Sequence, residues 1–319
     1  MCFSPKYAFY HYHYDTIKHR LVKSLSFNKF NPKRDNEANQ IIIPCGKCLA
    51  CKIDQANSWA TRCLLEAKKW TNNCFITLTY NEENINTKNG INTLNKKDIQ
   101  DFFKLLRYYE NRTEDNPIRY FACGEYGDKT FRPHYHLGVF NYIPKDLKFH
   151  KLSKTGIEIY TSKTISDIWK KGFITVQYLN YEAAAYIARY TQKKINRDYD
   201  KKCETLGIEK EFKLTSRRPG IALDILNDKE TFEKMRRNFG FLISTKNGVK
   251  LKGIPQALKK RWRDIDEFDY YEKADKHTQK CKENMKKILA KTSLNEKEYR
   301  IQQAKLTEDR LRRLKRNQI

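Results

Sequence analysis

The sequence predicts an α+β fold in which an antiparallel sheet is flanked by helices. Three observations predict it. Four short runs read as strands: "CFITLTY" (74–80), "IRYFACGEY" (118–126), "HYHLGVF" (134–140) and "GFITVQYL" (172–179). Helical segments alternate with them, giving the order strand, helix, strand, strand, strand, helix. A short turn containing Gly127 and Asp128 joins the second and third strands, which marks a hairpin rather than a parallel crossover.

Residues 1–40 read as irregular, polar and aromatic, and "IIIPCGKCLAC" (41–51) as a short apolar run entering a cysteine cluster. A helix is expected over 53–70, because Trp59, Cys63, Ala67 and Trp70 recur at helical spacing. An Asn-rich loop (81–97) follows the first strand. Next comes a helix whose stripe is Ile99, Phe102, Phe103, Leu106 and Tyr109. A further helix is expected over 180–195, with Asn180 as its N-cap. Residues 256–319 are charged and helix-forming, and read as a helical appendage outside the core.

Lys and Arg total 64 against 38 Asp and Glu, a net charge of +26, which points to a polyanionic partner. Twenty Tyr and 17 Phe add stacking surfaces, so nucleic acid is favoured over a membrane surface. No apolar run is long enough to span a bilayer, and the N-terminus lacks the apolar core of a signal peptide. The nine cysteines therefore read as thiols or metal ligands of a reducing compartment.

On a strand, residues two apart share a face. His134, His136 and Gly138 lie on one side, and Tyr135, Leu137 and Val139 on the other. If Tyr126 and Pro133 close the hairpin, Glu125 faces His134 across the strands. Two imidazoles and a carboxylate suit Mn²⁺, or Mg²⁺ that keeps its waters. The bland reading is a surface histidine pair. "HYHY" (11–14) has the same spacing without a carboxylate, and reads as loop or DNA-facing surface.

Tyr186 and Tyr190 are four apart on one helical face, continued by Ala183, Lys193 and Arg197. A tyrosine hydroxyl can attack phosphorus and carry it covalently. Plain packing is the alternative. Cys45, Cys48 and Cys51 form C-x₂-C-x₂-C, the spacing of a structural zinc site. Cys2 is the expected fourth ligand, because Cys63 lies on an apolar helix face; iron–sulfur ligation or inert thiols are the alternatives.

"RPHYH" (132–136) resembles the His-hydrophobic-His motif of HUH endonucleases, which nick single-stranded DNA in rolling-circle replication. "YIARYTQKK" (186–194) resembles their two-tyrosine motif and "FITLTY" their first strand motif. The ordered set, from "PCGKCLAC" through "CFITLTY" and "GEYGDKTFRPHYH" to the paired tyrosines, resembles the replication initiators of gokushoviruses over residues 1–200. These are small single-stranded DNA phages of the microvirus group.

The resemblance implies a sheet of about five strands, metal ligands at His134 and His136 with Glu125 as the third, and nucleophiles at Tyr186 and Tyr190. Lys193 matches the lysine that follows, with Lys194 as a rival; Arg132, Arg189, Lys194 and Arg197 are assigned to DNA contact. It also implies three regions: an N-terminal segment with the cysteines (1–70), a nickase core (71–200) and a basic helical region (201–319). The implied activity is nicking and joining of the origin strand through a 5′-phosphotyrosine, in the cytoplasm of an infected bacterium. Mg²⁺ or Mn²⁺ would serve catalysis and Zn²⁺ structure. The partners would be single-stranded origin DNA and the host helicase and polymerase, with no membrane. The sequence contains no P-loop, which fits joining without ATP. A plasmid initiator or relaxase of the same chemistry, or a zinc-stabilised DNA-binding regulator, are the competing readings.

Overall fold

The computed structural model describes residues 2–17, 19–27, 40–127, 130–153, 156–179, 197–245 and 248–314. The helix expected over 180–195 lies outside the described residues. Two units are distinguished, one within 1–54 and 282–318 and the other within 55–281.

In the first unit, β1 (Lys6–Asp15) pairs antiparallel with both β2 (Arg20–Ser26) and β3 (Gln40–Ile43). Residues 1–40 are thus not irregular, and "HYHY" lies within β1 rather than in a loop. Aromatic side chains occupy both faces of this strand. No apolar/polar alternation results to announce it, although Tyr and Phe favour extended backbone. α1 (Leu49–Ala67) then leads into the second unit.

That unit is built on β4 (Asn73–Thr79), the small hairpin of β5 (Thr87–Lys88) and β6 (Ile91–Asn92), α2 (Lys96–Tyr109), β7 (Arg119–Tyr126) and β8 (Pro133–Phe140). β9 (Leu147–Leu152), β10 (Glu158–Ser162), α3 (Lys163–Trp169), β11 (Ile174–Tyr178), α4 (Arg197–Leu206) and β12 (Phe212–Thr215) follow. α5 (Lys229–Asn238), the hairpin of β13 (Gly240–Thr245) and β14 (Gly248–Gly253), α6 (Gln256–Ile265) and α7 (Glu267–Leu289) complete it. α8 (Glu296–Leu314) returns to the first unit, where Arg300 donates to the Cys2 carbonyl at 2.8 Å.

Seven strands form one antiparallel sheet in the order β12-β7-β8-β4-β11-β10-β9. The architecture is the expected antiparallel α+β one, with seven strands where about five were expected. β9 and β10 come from a stretch without clear alternation, and β12 comes from the region expected to be helical.

The sheet is a middle layer. On one face Ile76, Leu78, Tyr135, Leu137 and Val139 pack with Ile99, Phe102, Phe103 and Leu106 of α2 and Trp169 of α3. α2 is set by Asn95, whose side chain accepts from the Lys97 N–H at 3.0 Å, satisfying one of the free donors of the first turn. On the other face Phe75, Phe121, Cys123 and Phe140 pack with Cys63 and Leu65 of α1 and with Met235, Leu258 and Trp262. Residues 256–265 are therefore not appendage: Leu258 and Trp262 are fully buried. The charge of "KKRWRD" masks a buried face carried by only two side chains.

Gly172 joins α3 to β11 with φ +149°, and a Cβ there would sit 2.4 Å from the carbonyl oxygen of Thr79. Backbone cannot yield to that overlap. Gly172→Ala is expected to cost about 1–3 kcal/mol or more, read as a lowered midpoint in denaturant unfolding.

Candidate functional site

β8 runs between β7 and β4, so its side chains have neighbours on both sides. The register sets Glu125 opposite His134 and Tyr126 opposite Pro133, the pairing expected from the hairpin. On the other side His136 faces Thr77 and His134 faces Thr79. Glu125, His134 and His136 thereby share a sheet face, and their ligand atoms all lie within 4.8 Å of one another. His134 Nε2 is 2.8 Å from Glu125 Oε1, and His136 Nε2 is 2.9 Å from the same oxygen.

Each ring is held from behind. His134 Nδ1 lies 3.1 Å from the Arg132 carbonyl oxygen, and His136 Nδ1 lies 3.1 Å from Thr77 Oγ1. Phe75 stacks on His136 with ring centres 5.5 Å apart. A carbonyl only accepts, so Nδ1 of His134 carries a proton. In the neutral ring Nε2 then offers a lone pair, and it faces a carboxylate that has only lone pairs. That contact is attractive only when a cation, a metal ion or an added proton, lies between them. Outer partners that fix the tautomer and leave Nε2 free are what histidine ligands require. The donor set thus fits a divalent metal.

Charges follow the same logic. Burial works against the Glu125 carboxylate, but hydrogen bonds from both imidazoles outweigh it and hold its pKa below the ordinary value. Burial likewise opposes the His134 imidazolium, but Glu125 raises its pKa above the ordinary value. His136 is more deeply enclosed, and its desolvation prevails, lowering its pKa.

Two residues of this face had no sequence signal, because nothing local announces that β12 pairs with β7. Glu211 just precedes β12, accepts the Tyr126 N–H at 3.0 Å and adds negative charge near His134. Lys213 stands opposite Cys123, itself opposite His136.

Of the residues assigned to DNA contact, Arg132 donates to the Tyr80 carbonyl oxygen at 2.7 Å and pairs with Glu82. Tyr186, Arg189, Tyr190, Lys193 and Lys194 lie outside the described residues. Arg197 is the first residue of α4, and only its backbone is described.

In the first unit Cys2, Cys45, Cys48 and Cys51 come together, with Sγ atoms within 4.8 Å of one another. The separations are 3.7 Å for Cys2–Cys48, 4.0 Å for Cys45–Cys51 and 3.6 Å for Cys48–Cys51. A disulfide needs about 2.05 Å. Tetrahedral zinc with bonds of about 2.3 Å separates its sulfurs by about 3.8 Å. Backbone N–H groups of Phe3, Cys45 and Cys48 point at these sulfurs and favour thiolates. Burial opposes ionisation of Cys48, yet backbone donors, led by Cys51 and Phe3, bring its thiol down to about 6. The set fits a structural four-thiolate site. Cys63 is buried in the second unit's core.

The model of the replication-associated protein ORF2 family matches residues 73–195. Among curated proteins, replication-associated protein ORF2 of Spiroplasma virus 4 is 36% identical over 247 residues, covering 74% of each chain. Replication-associated protein VP4 of Bdellovibrio phage phiMH2K is 37% identical over 167 residues, which is 51% of this chain and 52% of that protein. Replication-associated protein ORF4 of Chlamydia phage 1 is 32% identical over 156 residues, 48% of this chain and 38% of that protein. No solved structure gives a significant match. These likenesses define a protein of phage DNA replication. The chain belongs to the family of phage replication-associated proteins of the microvirus type.

Proposed function

We propose that this chain nicks and rejoins single-stranded DNA at a phage replication origin through a covalent phosphotyrosine. The observation that carries the reading is the convergence of His134 Nε2, His136 Nε2 and the Glu125 carboxylate on one sheet face, in a chain of this family. Glu125, His134 and His136 would hold Mn²⁺ or Mg²⁺, which when bound polarises the scissile phosphate. Thr77 and the Arg132 carbonyl keep the two rings aimed. The protein's other groups would do the rest. The hydroxyl of Tyr186 or Tyr190 attacks phosphorus; the P–O3′ bond breaks; the phenolic proton is lost and the departing 3′ oxygen gains one. The products are a primer 3′-hydroxyl and a 5′-phosphotyrosine. Lys193 would neutralise charge on the phosphate.

After a round of synthesis the second tyrosine attacks the regenerated origin, and the freed 3′-hydroxyl closes the displaced circle. Bond energy is kept in the covalent link, so joining needs no ATP. The thiolate cluster would hold Zn²⁺ to fold the first unit. Unwinding and synthesis would fall to the host helicase and polymerase, in the cytoplasm of the infected cell. Among the described residues no helix is long and apolar enough to cross a membrane. Residues 71–200, with β12 added, would form the catalytic core.

The tyrosine pair supplies the test. Two residues four apart on a helix are about 6 Å apart along its axis, so either hydroxyl can reach one phosphate after a small shift. Tyr186→Phe and Tyr190→Phe are each expected to retain cleavage of an origin oligonucleotide, and the double variant to have none. Covalent capture by the double variant, read as a shifted band on a denaturing gel, would refute the assignment.

A further inference from the structure

The sheet face that carries the candidate metal ligands also carries a cation with no assigned role. Lys213 of β12 faces Cys123 of β7, which faces His136 of β8, in one row across three strands. With strands about 4.8 Å apart, its backbone is ~10 Å from that of His136. The Lys213 ammonium lies 4.9 Å from the ring centre of Trp59, and the Arg62 guanidinium lies 4.2 Å over the same ring. Arg62 is held there by donating twice to the Ile221 carbonyl, at 3.0 and 2.8 Å.

Two cations on one indole need an anion. Among the described residues no carboxylate pairs with Lys213 or Arg62. Glu66, one helical turn after Arg62, is already taken by Arg119 at 2.6 Å and by the Ala222 N–H at 2.5 Å. Lys213 is exposed and can receive a ligand from solvent. Burial of its head group, with the Arg62 charge second, lowers its pKa, which marks the lack of a neutralising partner.

We propose that Lys213 binds a backbone phosphodiester of single-stranded DNA lying across this face, beside the phosphate held at Glu125, His134 and His136. The assignment rests on the nicking reading above. It gives β12, a strand from the region after the catalytic motifs, a role in placing the substrate. The contact is to the backbone, so it is blind to base sequence.

Two measurements test it, both with oligothymidylate, which offers phosphates and no origin. In a titration followed by anisotropy at several salt concentrations, losing one phosphate contact reduces the slope of log K against log salt by about 0.7 for a single strand. Lys213→Gln is expected to show that reduction with unchanged Mn²⁺ affinity, and Lys213→Arg to restore the slope. In the wild-type chain, acetylation of Lys213 by an amine-reactive ester, quantified by mass spectrometry, is expected to fall at least tenfold under saturating oligothymidylate. The second measurement needs no variant, so it decides even where Lys213→Gln fails to fold. An unchanged slope in a variant that melts like wild type, or equal acetylation with and without DNA, overturns the assignment and leaves Lys213 as packing on Trp59. Absence of any oligonucleotide binding by the wild-type chain overturns this assignment together with the nicking reading. Binding without protection of Lys213 overturns this assignment alone.

Discussion

Replacing His134 and His136 together with alanine is expected to abolish metal-dependent nicking. Both Nε2 atoms lie close to one carboxylate oxygen, at 2.8 and 2.9 Å, so their loss leaves Glu125 as the sole ligand of the set. Polarisation of a phosphate by a metal supplies several kcal/mol to the transition state. At about 1.36 kcal/mol per factor of ten, nicking falls by about 1,000-fold or more. The double variant also strands Glu125, which is only 5% exposed, without its partners. Adding Glu125→Gln removes that buried charge and keeps the fold, so inactivity can be separated from unfolding by circular dichroism. The pH dependence follows from the same contacts. Glu125 raises the pKa of His134, so protons compete with the metal there at higher pH than at an ordinary histidine. Mn²⁺ affinity measured by calorimetry is expected to fall as pH drops through that raised value, because the ligand must first lose its proton. Robust Mn²⁺-dependent cleavage by the double alanine variant would remove the metal site from this account.

The second large effect is expected at the cysteines. Metal analysis of protein purified without chelator should give about one Zn²⁺ per chain. Structural zinc contributes roughly 10–16 kcal/mol of apparent binding free energy in small zinc-dependent folds, more than a domain's usual net stability of about 5–15 kcal/mol. Cys48 lies 3.7 Å from Cys2 and 3.6 Å from Cys51, so Cys48→Ser breaks the middle of the set. It should release the metal and unfold the first unit, seen as a lost or lowered thermal transition. A brown, absorbing protein would instead indicate an iron–sulfur cluster, and metal-free protein with an unchanged melting curve would indicate inert thiols.

What the sequence made legible was local. The pairing of Glu125 with His134 follows from the two-residue period of a strand and the length of one turn. The thiolate set follows from a fixed spacing plus the exclusion of Cys63 by its apolar helix face. What it hid was non-local or masked by composition. β12 is four residues long, and only its position beside β7 brings Glu211 and Lys213 to the face of the triad. β1 carries aromatic side chains on both faces, so no alternation announces it. α6 buries Leu258 and Trp262 beneath a surface of Lys and Arg, and its composition reads as that of a solvated helix. Arg132 is expected at DNA from the motif, and its guanidinium is engaged by Tyr80 and Glu82.

The central claim is that the chain itself becomes joined to DNA through a tyrosine. The direct measurement incubates the wild-type protein with origin single-stranded DNA and Mn²⁺, digests the product with protease and nuclease, and identifies the peptide that retains a nucleotide. The account predicts a 5′-phosphoryl nucleotide on Tyr186 or Tyr190, within "YIARY", with a free 3′-hydroxyl on the released strand. Cleavage that leaves a free 5′-phosphate, with no nucleotide on any peptide, would mean that water is the nucleophile and would contradict it.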